Sequence, residues 1–476
     1  SGSTCSIKIN RESNMGTDNV ESHIENGSSK KNEKRIDKNV KAKPKGCGQW
    51  FNKYFCEGQA LEHVEELPVD ASMGRRFLVK YRRAIGFLIP TVFCLVIWLA
   101  IAIKKNLWPL FVDNYFMSIT MIFGSLIAGM TSEGAAAIAF PVMTLAFKIS
   151  PNVARDFALT SQSCGMSAAT FTILWMRVKL EWTAIIVCSV GGMFGVIIGL
   201  EVIDGVLTPP QKKFIFVSIW FSFGFALFLL NRYRHRRTFE VIPYMNPWKI
   251  LVLLLTGFIG GIFTSIAASG VDICTFSILT LVFRVSEKTA TPTSVILMAG
   301  NALFAFFWRD VMQEGIHQDA WSYLAVTAEI VVVGAPLGSV IGTHFHRLVL
   351  AGFVYIIGTA ALIGAFAIVR PLAPALVGLS VGIIVGAFIV FVCLTRAGQM
   401  LLSSVEEQEN NDLKKNEDPL ENMDNKNEHN EVDTTIEPTG GNTNNSFQDL
   451  YIYSKTCEQG MLFGLEESFL VQRFSL

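Results

Sequence analysis

The chain has 476 residues, 51% of them hydrophobic, with a mean hydropathy of +0.40, and its 40 basic side chains balance its 40 acidic ones. The charge cancels only in sum: residues 1–83 carry 16 Lys/Arg against 11 Asp/Glu, residues 84–396 carry 19 against 13, and residues 397–476 carry 5 against 16. Between 84 and 396 apolar runs recur at about the ~20 residues a bilayer crossing needs, with charges gathered in the gaps, which excludes a soluble globular protein and predicts an all-α polytopic membrane protein.

Residues 1–80, rich in Asn, Lys, Ser and Glu, lack hydrophobic periodicity and are expected to form a disordered cytoplasmic region. They contain no apolar core of a cleavable signal peptide. Within them Cys47–Phe55, "CGQWFNKYF", reads as a short element lying on the membrane surface. A first transmembrane helix is predicted at 84–103. A first repeat at 115–231 comprises segments 115–131, 134–147, 153–175, 182–203 and 213–230. A second repeat at 249–369 comprises 249–267, 270–283, 288–308, 321–343 and 347–369, and a last transmembrane helix follows at 373–395. The tail, 397–476, is acidic and of low complexity, and is expected to be disordered apart from a helical stretch at "MLFGLEESFL".

Segments 134–147 and 270–283 are each ~21 Å long as helices, against a hydrocarbon core of ~30 Å, so neither crosses alone. They also correspond. Shifting the chain by 136 residues aligns "GMTSEGAAAIAFPVMTLAFKISPNVA" with "SIAASGVDICTFSILTLVFRVSEKTA" without a gap, pairing Gly134 with Gly270, Phe140 with Phe276, Phe147 with Phe283 and Ser150 with Ser286. Further on, Gly191, Gly195 and Gly199 match Gly334, Gly338 and Gly342, two stripes of small residues that let helices approach closely in lipid. Gly378, Gly382 and Gly386 form a third. Basic loops at Arg75–Arg83 and Arg232–Arg237 place both of those regions on the cytoplasmic side. An even number of crossings then separates them, which makes the repeats inverted, with both termini cytoplasmic in a plasma or internal membrane. Lys104 and Lys105 fall on the other side and run against this assignment.

Inverted repeats with short, glycine-interrupted helices point to a secondary transporter whose site lies near the midplane. Glu133 sits at the tip of the first hairpin and Asp272 near the tip of the second, where helices starting at Gly134 and Gly270 would direct unpaired N–H groups at an anion. Two roles are open to these carboxylates. They satisfy N–H groups of the first helical turn, or one of them binds a coupling H⁺ or Na⁺. Glu329, inside "AVTAEIVVVGAPLG", is a further coupling candidate, or is hydrogen-bonded to a neighbouring helix. On the helices after the hairpins, Gln162 and Ser163, and Thr293, Ser294 and Asn301, offer hydroxyl and amide groups to an oxyanion, or join helices.

There is no HExxH, no GxSxG with triad partners and no phosphate-binding loop, so no enzyme, cofactor or nucleic-acid partner is expected. The nine cysteines form no CxxC pair, and His344 and His346 in "THFHR" read as interfacial rather than metal-binding. The repeated module of a small-residue tip, an apolar helix, a loop reading "SPNVA" or "SEKTA", and a Thr-Ser helix resembles the TauE/SafE family of sulfite exporters over residues 115–395. "ATPTS" fits that family's pattern. "ARDFALTSQS" in the first repeat, and "SEGAA" and "ASGVD" in place of three glycines, depart from it in the manner of the eukaryotic branch. The resemblance implies transport of small sulfur-containing anions or organosulfonates, coupled to a cation gradient. It also implies that Glu133, Gly134, Gln162, Gly270, Asp272, Thr293 and Ser294 face the pathway. A passive anion channel, or a transporter of another small organic acid, is the alternative.

Overall fold

The computed structural model describes residues 72–131, 133–232, 237–313, 315–343, 345, 347–368 and 374–427. The chain divides into two units, 1–50 and 51–476, and all of these residues belong to the second. The N-terminal region with its Cys47–Phe55 element, most of the basic loop at 232–237, His344 and His346, and residues 428–476 lie outside the described set.

Fourteen helices are described: α1 (Met73–Lys80), α2 (Arg82–Lys105), α3 (Trp108–Met130), α4 (Ala136–Pro141), α5 (Pro151–Met176), α6 (Trp182–Ile198), α7 (Pro209–Arg232), α8 (Pro247–Ala267), α9 (Val271–Ser277), α10 (Glu287–Phe307), α11 (Gln318–Ala325), α12 (Ala328–Gly342), α13 (Arg347–Ile368) and α14 (Pro374–Asn427). Among the described residues there is no strand, and seven helices are long and apolar enough to cross a membrane. The protein is a polytopic helical membrane protein. Helix α5 is long enough but too polar to count among the seven, because other helices rather than lipid surround it and most of its side chains are buried.

Two boundaries differ from the sequence expectation. The span at 321–343 is broken into α11 and α12, bent by 64°. The carbonyls released at the break are satisfied by neighbours: Trp98 Nε1 donates to Ala325 O at 2.9 Å and Ser118 Oγ to Val326 O at 2.7 Å. Such donors permit a break at membrane depth, where water cannot supply them. The last helix, expected to end at 395, continues as α14 to Asn427.

The spacing of 136 residues recurs in the backbone. Short helices α4 and α9 each run into a π-helical turn, Val142–Ala146 and Ile278–Val282. Each turn is followed by a left-handed basic residue, Lys148 and Arg284, both at φ 57°. Ser150 and Ser286 then stand at the N-caps of α5 and α10. Packing is reciprocal: α3 of the first set packs on α12 of the second, α8 of the second on α6 of the first, α5 on α10, and α7 on α13.

The glycine stripes set the first two of these interfaces. A Cβ on Gly195 would lie 2.0 Å from Phe258 O, one on Gly191 2.2 Å from Leu254 O, one on Gly338 2.2 Å from Leu126 O, and one on Gly334 1.9 Å from Ser125 Oγ. Lipid tails are as apolar as the side chains, so close backbone contact takes over the role that hydrophobic burial has in water. The third stripe does not act this way: no heavy atom lies within 4 Å of a Cβ built on Gly378, Gly382 or Gly386. Gly195→Val and Gly338→Val are therefore expected to destabilise the detergent-solubilised protein by at least the ~1–3 kcal/mol of an overpacked core. Gly382→Val is expected to leave the melting temperature unchanged, and thermal-shift measurements on the three variants check the contrast.

Candidate functional site

Helix α3 ends at Met130 and α4 begins at Ala136; α8 ends at Ala267 and α9 begins at Val271. The helices thus start one or two residues later than the expected Gly134 and Gly270. Gly134 has φ +72°, a left-handed conformation, and a Cβ there would lie 2.5 Å from Met298 Sδ and 2.8 Å from Gln162 Nε2. Gly270 is extended, but its Cβ would meet Phe263 Cβ at 2.5 Å and Gly260 O at 2.6 Å. Both tips need glycine for close approach, and the first also for its dihedral.

The two tips touch. Ser269 Oγ donates to Glu133 O at 3.2 Å, a contact between residues related by the 136-residue repeat. Gln162, fully buried on α5, joins them. In the amide orientation that satisfies both partners, its nitrogen donates to Ala268 O at 2.7 Å and its oxygen accepts from Ala136 N–H at 3.1 Å. The residue that follows Gln162 by 136 positions is Met298, so both occupants of the space beside Gly134 are repeat-related.

The two carboxylates have different surroundings. Both oxygens of Asp272 are engaged: Oδ1 accepts from Gly270 N–H at 2.7 Å and Oδ2 from Ser269 Oγ at 2.8 Å. From the first turn of α9 it reaches back to the N-cap N–H, as a capping-box carboxylate does. Glu133 is 1% exposed, and its Oε1 has no hydrogen-bond partner. The Trp220 indole N–H faces this carboxyl without reaching hydrogen-bond geometry and is itself unpartnered. Of the N–H groups in the first turn of α4, that of Ala136 is taken by Gln162.

Asn301 belongs to the second tip. Its Nδ2 donates to Thr264 Oγ1 at 3.3 Å, and that hydroxyl also accepts from Val271 N–H at 3.2 Å, while Asn301 Oδ1 is buried without a partner. The remaining expected residues are engaged locally. Ser163 Oγ donates to Leu159 O at 2.7 Å and Ser294 Oγ to Thr291 O at 2.8 Å. Thr293 Oγ1 donates to Thr289 O at 2.7 Å and accepts from Glu181 N–H at 3.1 Å, which ties it to the loop before α6. Glu329 lies in the first turn of α12, half-buried with Oε2 unpartnered, and makes no hydrogen bond to either tip.

Sequence reasoning missed a second polar centre. Asp156, completely buried on α5, accepts from Arg155 Nη2 at 3.0 Å, from Arg309 Nε at 3.2 Å, and from the backbone N–H and Nδ1 of His317 at 3.2 and 2.5 Å. Arg155 continues to Asp204 at 2.7 Å, and Asp204 to Lys212 at 2.5 Å. The network joins the start of α5, the turn after α6, the start of α7 and the segment 308–317. Its signal in the sequence is the adjacent Arg-Asp pair inside a predicted span; the partners lie about 50 to 160 residues away.

These features define a class: a polytopic membrane protein with two broken helical hairpins whose tips meet inside a bundle. The model of the family described as "Sulfite exporter TauE/SafE" matches residues 117–365, more than half of the chain, and the chain belongs to that family. No curated protein and no solved structure matches it.

Breaking a buried charge network strands its partners, so Asp156→Ala is expected to cost ~3–5 kcal/mol, read as a large drop in melting temperature. Asp204 tests the same network through pH. Burial opposes its charge, but Arg155 and Lys212 hold the carboxyl below its ordinary 3.8. A depressed folded value means that the stabilisation is complete above ~pH 4 and disappears as pH falls through the folded value. The melting-temperature penalty of Asp204→Asn should therefore be constant from about pH 5 to 8 and shrink only in stronger acid.

Proposed function

We propose that the chain is a secondary transporter that moves small anions, sulfur-containing oxyanions or organosulfonates, by alternating access between two inverted repeats. The observation that carries this is the meeting of the two hairpin tips through Ser269, Glu133 and Gln162, because repeat-related residues in contact are what an axis between two halves produces. Membership of a sulfite exporter family supports the substrate class. In this mechanism the tips and Asn301 line the central site, and small movements at either tip open it to one side.

Glu133 is the better-placed coupling group. A buried carboxyl at membrane depth with an oxygen left unpartnered, as Glu133 Oε1 is, is costly and is retained on transport routes, whereas both oxygens of Asp272 are occupied in holding its own hairpin. Glu133→Gln is expected to abolish accumulation driven by a pH or Na⁺ gradient while substrate-for-substrate exchange continues. Asp272→Asn should keep gradient-driven uptake and lose ~1 kcal/mol of stability, the usual cost of a weakened cap. The assay is uptake by proteoliposomes of labelled sulfite, sulfate, thiosulfate, sulfoacetate and taurine, with and without each gradient. Saturable counterflow identifies a carrier; single-channel currents would identify a pore and reject the proposal.

The inverted arrangement places residue 113 outside and residue 234 in the cytoplasm. With single cysteines at these positions, a membrane-impermeant thiol reagent applied to intact cells should label the first and spare the second. Labelling at 234 would exclude inversion.

A further inference from the structure

Among the described residues five basic side chains are buried: Arg155, Lys212, Lys249, Arg284 and Arg309. Four of them are matched. Arg155 and Arg309 hold Asp156, Lys212 holds Asp204 and Asn152 Oδ1, and Lys249 Nζ donates to the carbonyls of Pro243 and Tyr244. Arg284 is the exception. It is 9% exposed, and among the described residues its guanidinium makes no hydrogen bond or ion pair. Its Nε is enclosed whereas Nη1 and Nη2 are not, so the end of the fork is the part that opens to the surface. Buried charges are ordinarily paired, because an unpaired one loses its hydration without replacement.

The backbone around Arg284 is fixed. The residue follows the π-helical turn Ile278–Val282 and has φ 57°, a conformation that a residue other than glycine adopts at a cost and that recurs at functional sites. Two segments grip this stretch. Phe239, between the repeats, donates its N–H to Arg284 O at 2.9 Å and accepts from Ser286 N–H at 2.8 Å. From α14, a Cβ on Gly398 would lie 2.0 Å from Leu281 O. Acidic side chains on the same two segments are paired elsewhere, Glu240 with Lys179 and Glu406 with Arg237. Lys148, the repeat partner with the same φ, is exposed, so the repeat does not by itself account for the burial of Arg284.

We propose that Arg284 is an oxyanion-binding residue at the end of the second hairpin, its Nη groups donating to a phosphate or a sulfur oxyanion. A planar guanidinium matches two oxygens of such a group, and a fixed backbone positions it before the anion arrives. Two sources supply this chemistry, the phosphate of a lipid headgroup and a free anion in solution. That this end of the hairpin faces the cytoplasm rests on the inverted arrangement proposed above; the binding does not.

The test applies phenylglyoxal, which modifies guanidinium groups, to the delipidated full chain in maltoside detergent, with Arg284 followed by peptide mass spectrometry. Inorganic sulfate is the free-anion probe. In nanodiscs, phosphatidylglycerol is compared with digalactosyldiacylglycerol, a lipid without phosphate. Modification of Arg284 should slow about tenfold when a probe is present at about ten times its half-protecting concentration. Protection by sulfate assigns a free anion, and protection by phosphatidylglycerol but not by the galactolipid assigns a headgroup. An unchanged rate in both arms, or no modification of Arg284 under any condition, would overturn the proposal. Arg284→Met keeps the stem and removes the charge. Without anion it should melt at or above the wild-type temperature, and the rise given by the protecting probe should be smaller than in wild type. An equal rise in the two proteins would also overturn the proposal. Labelling at residue 234 would remove the cytoplasmic placement and leave these results standing, and failure of protection at Arg284 would leave the transport reading untouched.

Discussion

A helix broken inside a bilayer releases backbone N–H and C=O groups that no water satisfies, and the rest of this structure is arranged around that constraint. At the first tip Ala136 N–H is taken by Gln162; at the second, Ala268 O is taken by the same side chain, Gly270 N–H by Asp272 and Val271 N–H by Thr264. One amide on α5 therefore serves both breaks, and each hairpin has its geometry defined partly by the other half of the chain. A movement of either tip must exchange these bonds for others, so the tips are coupled to each other through Gln162.

That arrangement needs the two halves to approach closely and in register. The glycines of α6 and α12 provide the approach by bringing helix backbones together at α6–α8 and α3–α12. Since burial of apolar groups contributes little to association in lipid, these contacts rely on dispersion at short range and are intolerant of an added methyl group. The exposed stripe on α14 makes no such contact. Small residues at helical spacing permit close packing but do not by themselves cause it.

The ends of the bundle differ in what holds them. At the start of α5, buried carboxylates and basic groups tie four segments together, so separating them would leave charges without partners in a low-dielectric interior. At the start of α10, the repeat-related region, Thr293 bonds to the backbone of Glu181, and Glu181 Oε2 accepts from Ile242 N–H at 2.9 Å. The same local framework thus carries ionic contacts at one end and a lighter set of hydrogen bonds at the other.

Apart from the end of α14 and the break between α11 and α12, hydropathy and the 136-residue repeat were enough to locate the spanning helices within a few residues, and to pair Gly134 with Gly270 and Ser150 with Ser286, because span length, glycine and capping chemistry act over a few neighbouring residues. The hairpins and the two working glycine stripes were legible for the same reason. Tertiary structure alone decided that both oxygens of Asp272 are held by Gly270 N–H and Ser269 Oγ while Glu133 Oε1 is left without a partner. It alone decided that Gln162 bridges the tips, that Thr293 turns to the Glu181 loop, and that Phe216 and Phe223 of α7 pack on Phe140 and Phe276. It also decided the break at 326–327, whose carbonyl partners, Trp98 and Ser118, come from about 200 residues earlier. A sequence names the polar groups placed at membrane depth. Their roles depend on which partners the fold brings within about 3 Å of them, because no water is present there to stand in for a missing one.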